Sequence, residues 1–128
     1  MNNLASSIFQ ISNNEQFERI ALEIFRHQAE NVPIYKEYVE RLGVNAKDIN
    51  SIDKIPFLPI QFFKTREIKP SNAKAEVIFT SSGTTGDQTS KHYVVDTDLY
   101  TKSFTTAFKH FYGNIDDYCI LALLPSYL

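Results

Sequence analysis

Seven of the eleven residues from Thr80 to Ser90 are serine or threonine, and two of the chain's four glycines, Gly83 and Gly86, fall among them. Glycine admits positive φ and a close backbone approach, so successive N–H groups in such a stretch can turn inward and make a nest for an anion. The hydroxyls of Ser81, Ser82, Thr84 and Thr85 add neutral donors that rotate onto phosphate oxygens. Lys91, at the exit, adds a point charge. Composition alone leaves a second reading open, a flexible polar turn that joins two strands.

The commoner phosphate loops do not fit. A Walker A loop requires Gly-x-x-x-x-Gly-Lys-Ser/Thr, whereas Gly83 and Gly86 are three apart and Asp87 stands where the lysine belongs. A Gly-x-Gly-x-x-Gly dinucleotide motif is absent, and so is the Gly-x-Ser-x-Gly elbow that would make Ser82 a hydrolase nucleophile.

The flanking elements must position this loop. Residues 76–80, Glu-Val-Ile-Phe-Thr, are β-branched and aromatic and predict a buried strand running into it. Residues 92–95, His-Tyr-Val-Val, predict a short strand running out, along which His92 simply alternates. Asp96 is the expected N-cap of a helix with Tyr100, Phe104, Ala107, Phe108 and Phe111 on one face and Gly113 at its end. Residues 118–124 are continuously apolar, the pattern of a strand covered on both faces in a parallel sheet. Upstream, Ser12 and Glu15 form a Ser-x-x-Glu capping box, followed by Phe17, Ile20, Ala21, Ile24 and Phe25 at helical spacing, which predicts a helix over about 14–30. Val32-Pro33 ends it, and Tyr35, Tyr38, Val39 and Leu42 predict a second helix stopped by Gly43. Residues 45–71 are expected to be packed irregular chain with short turns. The expected fold is α/β, with N-terminal helices over residues 1–54, then a mixed or parallel sheet with a crossover helix over 55–128.

Composition narrows the partners. The chain has 128 residues, 43% hydrophobic and 22% charged, with a formal net charge of −2, so no global field draws it to nucleic acid or anionic lipid. The lone Cys119 cannot form an internal disulfide, which fits a cytoplasmic compartment, and its apolar surroundings predict an inert, buried thiol. His27 and His110 lack partners at ligand spacing, so no metal site is expected from the chain's own residues. Lys64, Arg66, Lys69 and Lys74 lie near the loop in sequence and leave two readings, a raised local potential at the loop or, favoured by the interleaved Glu67 and Glu76, a solvated surface. The N-terminus lacks a secretory leader, and the apolar run of residues 118–124 is too short to span a bilayer. That run close to the last residue leaves two readings open: part of a larger protein, or a compact domain whose last strand lies between earlier neighbours.

Ser81-Ser82-Gly83-Thr84-Thr85-Gly86 resembles the phosphate-binding signature of the AMP-forming adenylating enzymes. Phe62-Phe63-Lys64, Phe79-Thr80, Ser90-Lys91-His92-Tyr93 and Leu124-Pro125-Ser126-Tyr127-Leu128 are similar to the acyl-protein synthetase (LuxE-like) and phenylacetate-CoA ligase branch, so the resemblance spans about residues 55–128. Where the superfamily usually has Pro-Lys-Gly, this chain has Gln88-Thr89-Ser90, which leaves Lys91 as a displaced candidate for the lysine's role. The resemblance implies the N-terminal part of an adenylate-forming ligase fold, with the phosphate loop at 80–91. It implies an ATP- and Mg2+-dependent ligase that activates a carboxylic acid, a fatty acid first, as acyl-AMP and passes it to a thiol of a protein cysteine or of CoA. Ser81, Ser82, Gly83, Thr84, Thr85, Gly86 and Lys91 would hold the ATP phosphates. The adenine, ribose and acyl sites and the catalytic lysine would lie beyond Leu128, so the segment alone is not expected to adenylate. The alternatives are a non-catalytic nucleotide- or phosphate-binding module and an interaction domain.

Overall fold

The computed structural model describes residues 2–81 and 89–123. Residues 1–97 and 98–128 form two compact units. The first unit opens with a short helix that the sequence did not announce, α1 (Asn2–Ile8), followed by α2 (Asn14–Asn31) and α3 (Pro33–Arg41). The N-cap of α2 is Asn13, one residue later than Ser12 and Glu15 imply. Asn13 Oδ1 accepts from the Gln16 N–H at 2.9 Å, and Gln16 Oε1 accepts from the Ser12 N–H at 3.0 Å and the Ser12 hydroxyl at 3.1 Å. The satisfied donors are the Gln16 N–H, in place of the Glu15 N–H of the expected box, and the Ser12 N–H, which both arrangements share.

The buried residues of α2 are Ile20, Leu22, Phe25 and Ala29; Ile20 and Phe25 belong to the expected face, on which Ala21 and Ile24 are half-buried, whereas Phe17 is 51% exposed. Leu22, Phe25 and Ala29 recur at the i, i+3, i+7 spacing of one helix face and meet Val39 of α3 and Ile49. Val32 is at once the C-cap of α2 and the N-cap of α3, extended as a residue before proline must be, with Pro33 opening α3. Gly43, at φ +69°, turns the chain out of α3, in the left-handed region where glycine meets no steric penalty.

Residues 45–71 form short turns as expected: a 3₁₀ turn at Ile52–Lys54 and the one-turn helix α4 (Phe62–Thr65). Two tyrosines of α3 tie this segment to the helical core. The Tyr35 hydroxyl donates to the Pro56 carbonyl at 2.9 Å, and the Tyr38 ring meets Phe62 edge-on at 5.8 Å. Burial, with a smaller contribution from Tyr38, pushes the Tyr35 phenol up to about 12, so the hydroxyl keeps its proton and remains a donor.

The sheet differs from the parallel or mixed sheet expected. Among the described residues it has two strands, β1 (Val77–Thr80) and β2 (Lys91–Val94), paired antiparallel with Val77 opposite Val94 and Thr80 opposite Lys91. Only residues 81–90 separate them, and a parallel neighbour in the same sheet needs a crossover of a dozen residues or more. With one partner strand, β1 is exposed along its length rather than buried; Val94 of β2 is buried.

In the second unit, α5 (Thr97–Tyr112) begins directly after Asp96 and ends at Gly113, φ +89°. A 3₁₀ turn at Ile115–Asp117 follows, and Tyr118 folds back, its ring 5.5 Å from that of Phe108 and its hydroxyl donating to the Tyr112 carbonyl. The strand expected from residue 118 is not formed over 118–123: Leu121 and Leu123 are 86% and 93% exposed. A strand apolar on both sides needs neighbours for its N–H and C=O groups and cover for two faces, and no described strand pairs with it. The same exposure corrects the reading of Cys119, which is exposed rather than buried. No helix among the described residues is long and apolar enough to cross a membrane.

Candidate functional site

The Ser/Thr/Gly loop is the connection of the β1–β2 hairpin, and its base is closed by two of its own serines. Beyond the Thr80–Lys91 pair, the Ser81 N–H donates to the Ser90 carbonyl at 3.1 Å. The Ser90 N–H and hydroxyl both donate to Ser81 Oγ, at 3.1 and 3.0 Å. Of the loop residues read as phosphate ligands, Ser81 and Lys91 are therefore placed at the hairpin's mouth; Ser82, Gly83, Thr84, Thr85 and Gly86 lie outside the described residues.

Beside this mouth is a cleft of about 420 Å³. Lys64 and Arg66, on α4 and at its C-cap, line one part, and Thr89, Lys91 and Tyr93 of the hairpin line another. Lys91 and Tyr93 are two apart on β2, so their side chains leave the same face; His92 between them packs instead near Phe63, with ring centroids 6.3 Å apart. Contacts of α4 with β2 bring residues separated by some 25 positions of sequence to one surface. Such separation hides the arrangement from a linear reading, which placed Lys64 and Arg66 on a solvated stretch. The interleaved charges do account for Lys69: its ammonium is 3.4 Å from Glu67 and donates to the Ala73 carbonyl at 2.7 Å.

The electrostatics of the cleft are one-sided. Among the described residues Lys64, Arg66 and Lys91 have no acidic partner, and the lone carboxylate in the lining, Glu67, is the one engaged by Lys69. Three like charges around one concavity raise its potential and favour an anion that neutralises them. Of the oxygen-bearing side chains in this lining, Thr65, Glu67, Thr89 and Tyr93, only Glu67 is a carboxylate and Lys69 engages it, so the described residues do not make a magnesium site and no step is assigned through the metal. Elsewhere among the described residues no group of three His, Cys, Asp or Glu could hold a metal ion. His27 is bonded to Asn31, and His110 lies against Phe111.

The described ends of the hairpin and the adjoining cleft thus gather Thr89 and Lys91 with Lys64 and Arg66 on one surface. Compared with curated proteins, the chain is 36% identical over 70 residues to a long-chain-fatty-acid–luciferin-component ligase of Photorhabdus luminescens. The match covers 54% of this chain and 60% of that relative. No protein-family model matches the chain, and no solved structure matches it significantly.

Proposed function

We propose that the chain is a segment of an ATP-dependent, AMP-forming acyl ligase of the acyl-protein synthetase type, and that its hairpin loop grips the ATP phosphates. The partial identity with a fatty-acid ligase carries this reading, because the name of that relative states a ligase acting on a long-chain fatty acid. That name agrees with the acyl-protein synthetase branch and lends nothing to the phenylacetate-CoA ligase branch. The cationic cleft beside the loop supports the reading on independent, electrostatic grounds.

The chemistry needs such a site. A fatty carboxylate attacks the α-phosphorus of ATP while pyrophosphate departs, so two anions approach and a third leaves. Donors from Ser82, Thr84 and Thr85 and the amides of Gly83 and Gly86 would orient the β- and γ-phosphates, with Lys91, Lys64 and Arg66 offsetting their charge. The attack forms acyl-AMP and breaks the bond to pyrophosphate; a thiolate then attacks the acyl carbonyl and releases AMP. A protein cysteine is the proposed acceptor, CoA its alternative, and the cytoplasm the proposed compartment.

The test is fatty-acid-dependent ATP–pyrophosphate exchange by the native protein that carries this segment, beside its Gly83→Val variant. Exchange with long-chain acids that the variant abolishes is expected. Nucleotide binding without exchange for any acid would replace the ligase by a non-catalytic phosphate-binding module.

A further inference from the structure

We propose that Tyr38 is a positioning residue of the cationic cleft: acting through Phe62, it holds the single-turn helix α4 so that Lys64 and Arg66 line the same concavity as Lys91. This rests on the reading of the cleft as the seat of the ATP phosphates. Four residues of helix do not hold themselves, because a first turn costs more order than its few bonds return. α4 is such a turn, Phe62–Thr65, and its N-cap Gln61 makes no side-chain cap bond. Its place is therefore set from outside, by the two rings at its start. Phe62 meets Tyr38 of α3 edge-on at 5.8 Å, and Phe63 lies 6.3 Å from the His92 ring of β2. Consecutive helical residues point about 100° apart, so the two rings hold α4 from different sides.

The Tyr38 side is the anchored one. Tyr38 packs against the buried cluster of Leu22, Phe25, Ala29, Val39 and Ile49, whereas His92 is exposed. Neither Tyr38 nor Phe62 lines the cleft, so neither is placed to touch a ligand there. What they fix is the turn that carries the cations: Lys64 lies within it, and the Arg66 N–H donates to the Phe62 carbonyl at 2.8 Å. Cations held at one concavity before an anion arrives lose less freedom on binding it, so Tyr38 contributes to affinity by pre-organisation. An edge-on ring pair shifts such an equilibrium roughly two- to tenfold.

Inorganic pyrophosphate titrated calorimetrically into the 128-residue chain in low salt tests this, with the folded fraction of each variant checked by urea unfolding. Tyr38→Leu is expected to weaken binding roughly three- to tenfold, Phe62→Leu by a similar factor, and the double variant no more than either alone, because both break one contact. Tyr38→Phe keeps the ring and should bind within about twofold of wild type. In a chain already carrying Lys64→Gln and Arg66→Gln, Tyr38→Leu should change affinity no further. Ile49→Val, a packing change in the same core, should leave binding unchanged. A Tyr38→Leu loss that persists without the two cations, or that Ile49→Val matches, is one of general stability and overturns the positioning role. Binding like wild type in Phe62→Leu overturns it too, even where Tyr38→Leu fails to fold. A wild-type chain that does not bind pyrophosphate, or one whose affinity survives Lys64→Gln and Arg66→Gln together, overturns the phosphate reading of the cleft itself.

Discussion

Glu76 and Thr97, 21 residues apart, are joined by two hydrogen bonds to one carboxylate oxygen: Glu76 Oε2 accepts from the Thr97 N–H at 2.9 Å and from the Thr97 hydroxyl. The Glu76 backbone N–H meanwhile donates to the Val94 carbonyl at 2.8 Å. One residue thus ties the entry of β1 both to the end of β2 and to the residue at which α5 begins.

These bonds give stability a definite pH dependence. The Thr97 hydroxyl, then the Thr97 N–H, hold the Glu76 carboxyl below the ordinary carboxylate range, against a small opposing effect of burial. A depressed folded-state pKa means that the contribution is complete above the unfolded carboxylate value, about 4.3, and is lost as pH falls from there through the folded value. Thermal midpoints measured across this acid range should fall more steeply for wild type than for Glu76→Gln. Parallel curves would remove Glu76 from the acid response.

The core should discriminate sharply between two phenylalanines of α2. Phe25 is 3% exposed and meets the Tyr35 ring edge-on at 6.1 Å, while Phe17 is 51% exposed. Phe25→Ala is expected to cost about 3–5 kcal/mol in urea unfolding. Phe17→Ala should cost less than about 1 kcal/mol. Equal costs would contradict the observed orientation of α2.

Removing a cation from the cleft should weaken anion binding in a salt-dependent way. Lys64→Gln, Arg66→Gln and Lys91→Gln are each expected to lower pyrophosphate affinity roughly three- to tenfold in low salt, with the difference shrinking as ionic strength rises. Lys69→Gln, whose ammonium is already engaged by Glu67 and Ala73, should change it less. Titrations at two salt concentrations decide between a cationic site and scattered surface charge.

Cys119 is exposed, so an alkylating reagent should label it completely without denaturant, at the rate of an accessible thiol. Protection until the chain is unfolded would restore the buried thiol that its apolar neighbours imply.

Local physics made much of the chain readable. The break at Val32-Pro33, the stops at Gly43 and Gly113, the short turns of residues 45–71 and the two strands around the loop each follow from backbone preferences of a few adjacent residues. The cap of α2 shows the grain of such reading: the device is right, but Asn13 and Gln16 perform it in place of Ser12 and Glu15. Residues 118–124 show its limit. Their apolarity states what a strand there would require, cover and partners, and the described part of the run has neither.

By itself, then, the sequence determined the helices α2, α3 and α5, their ends and the Ser/Thr/Gly composition of the loop, because these depend on interactions within a turn or two. Tertiary structure alone decided the rest. It turned Leu22 and Ala29 inward and set Ser81 against Ser90. It also brought Lys64 and Arg66 beside Lys91, through packing of α4 on β2 that no charge pattern along the chain encodes. Like charges separated by some 25 residues are independent in an extended chain, and they share a single field only when a hydrophobic contact holds their backbones together.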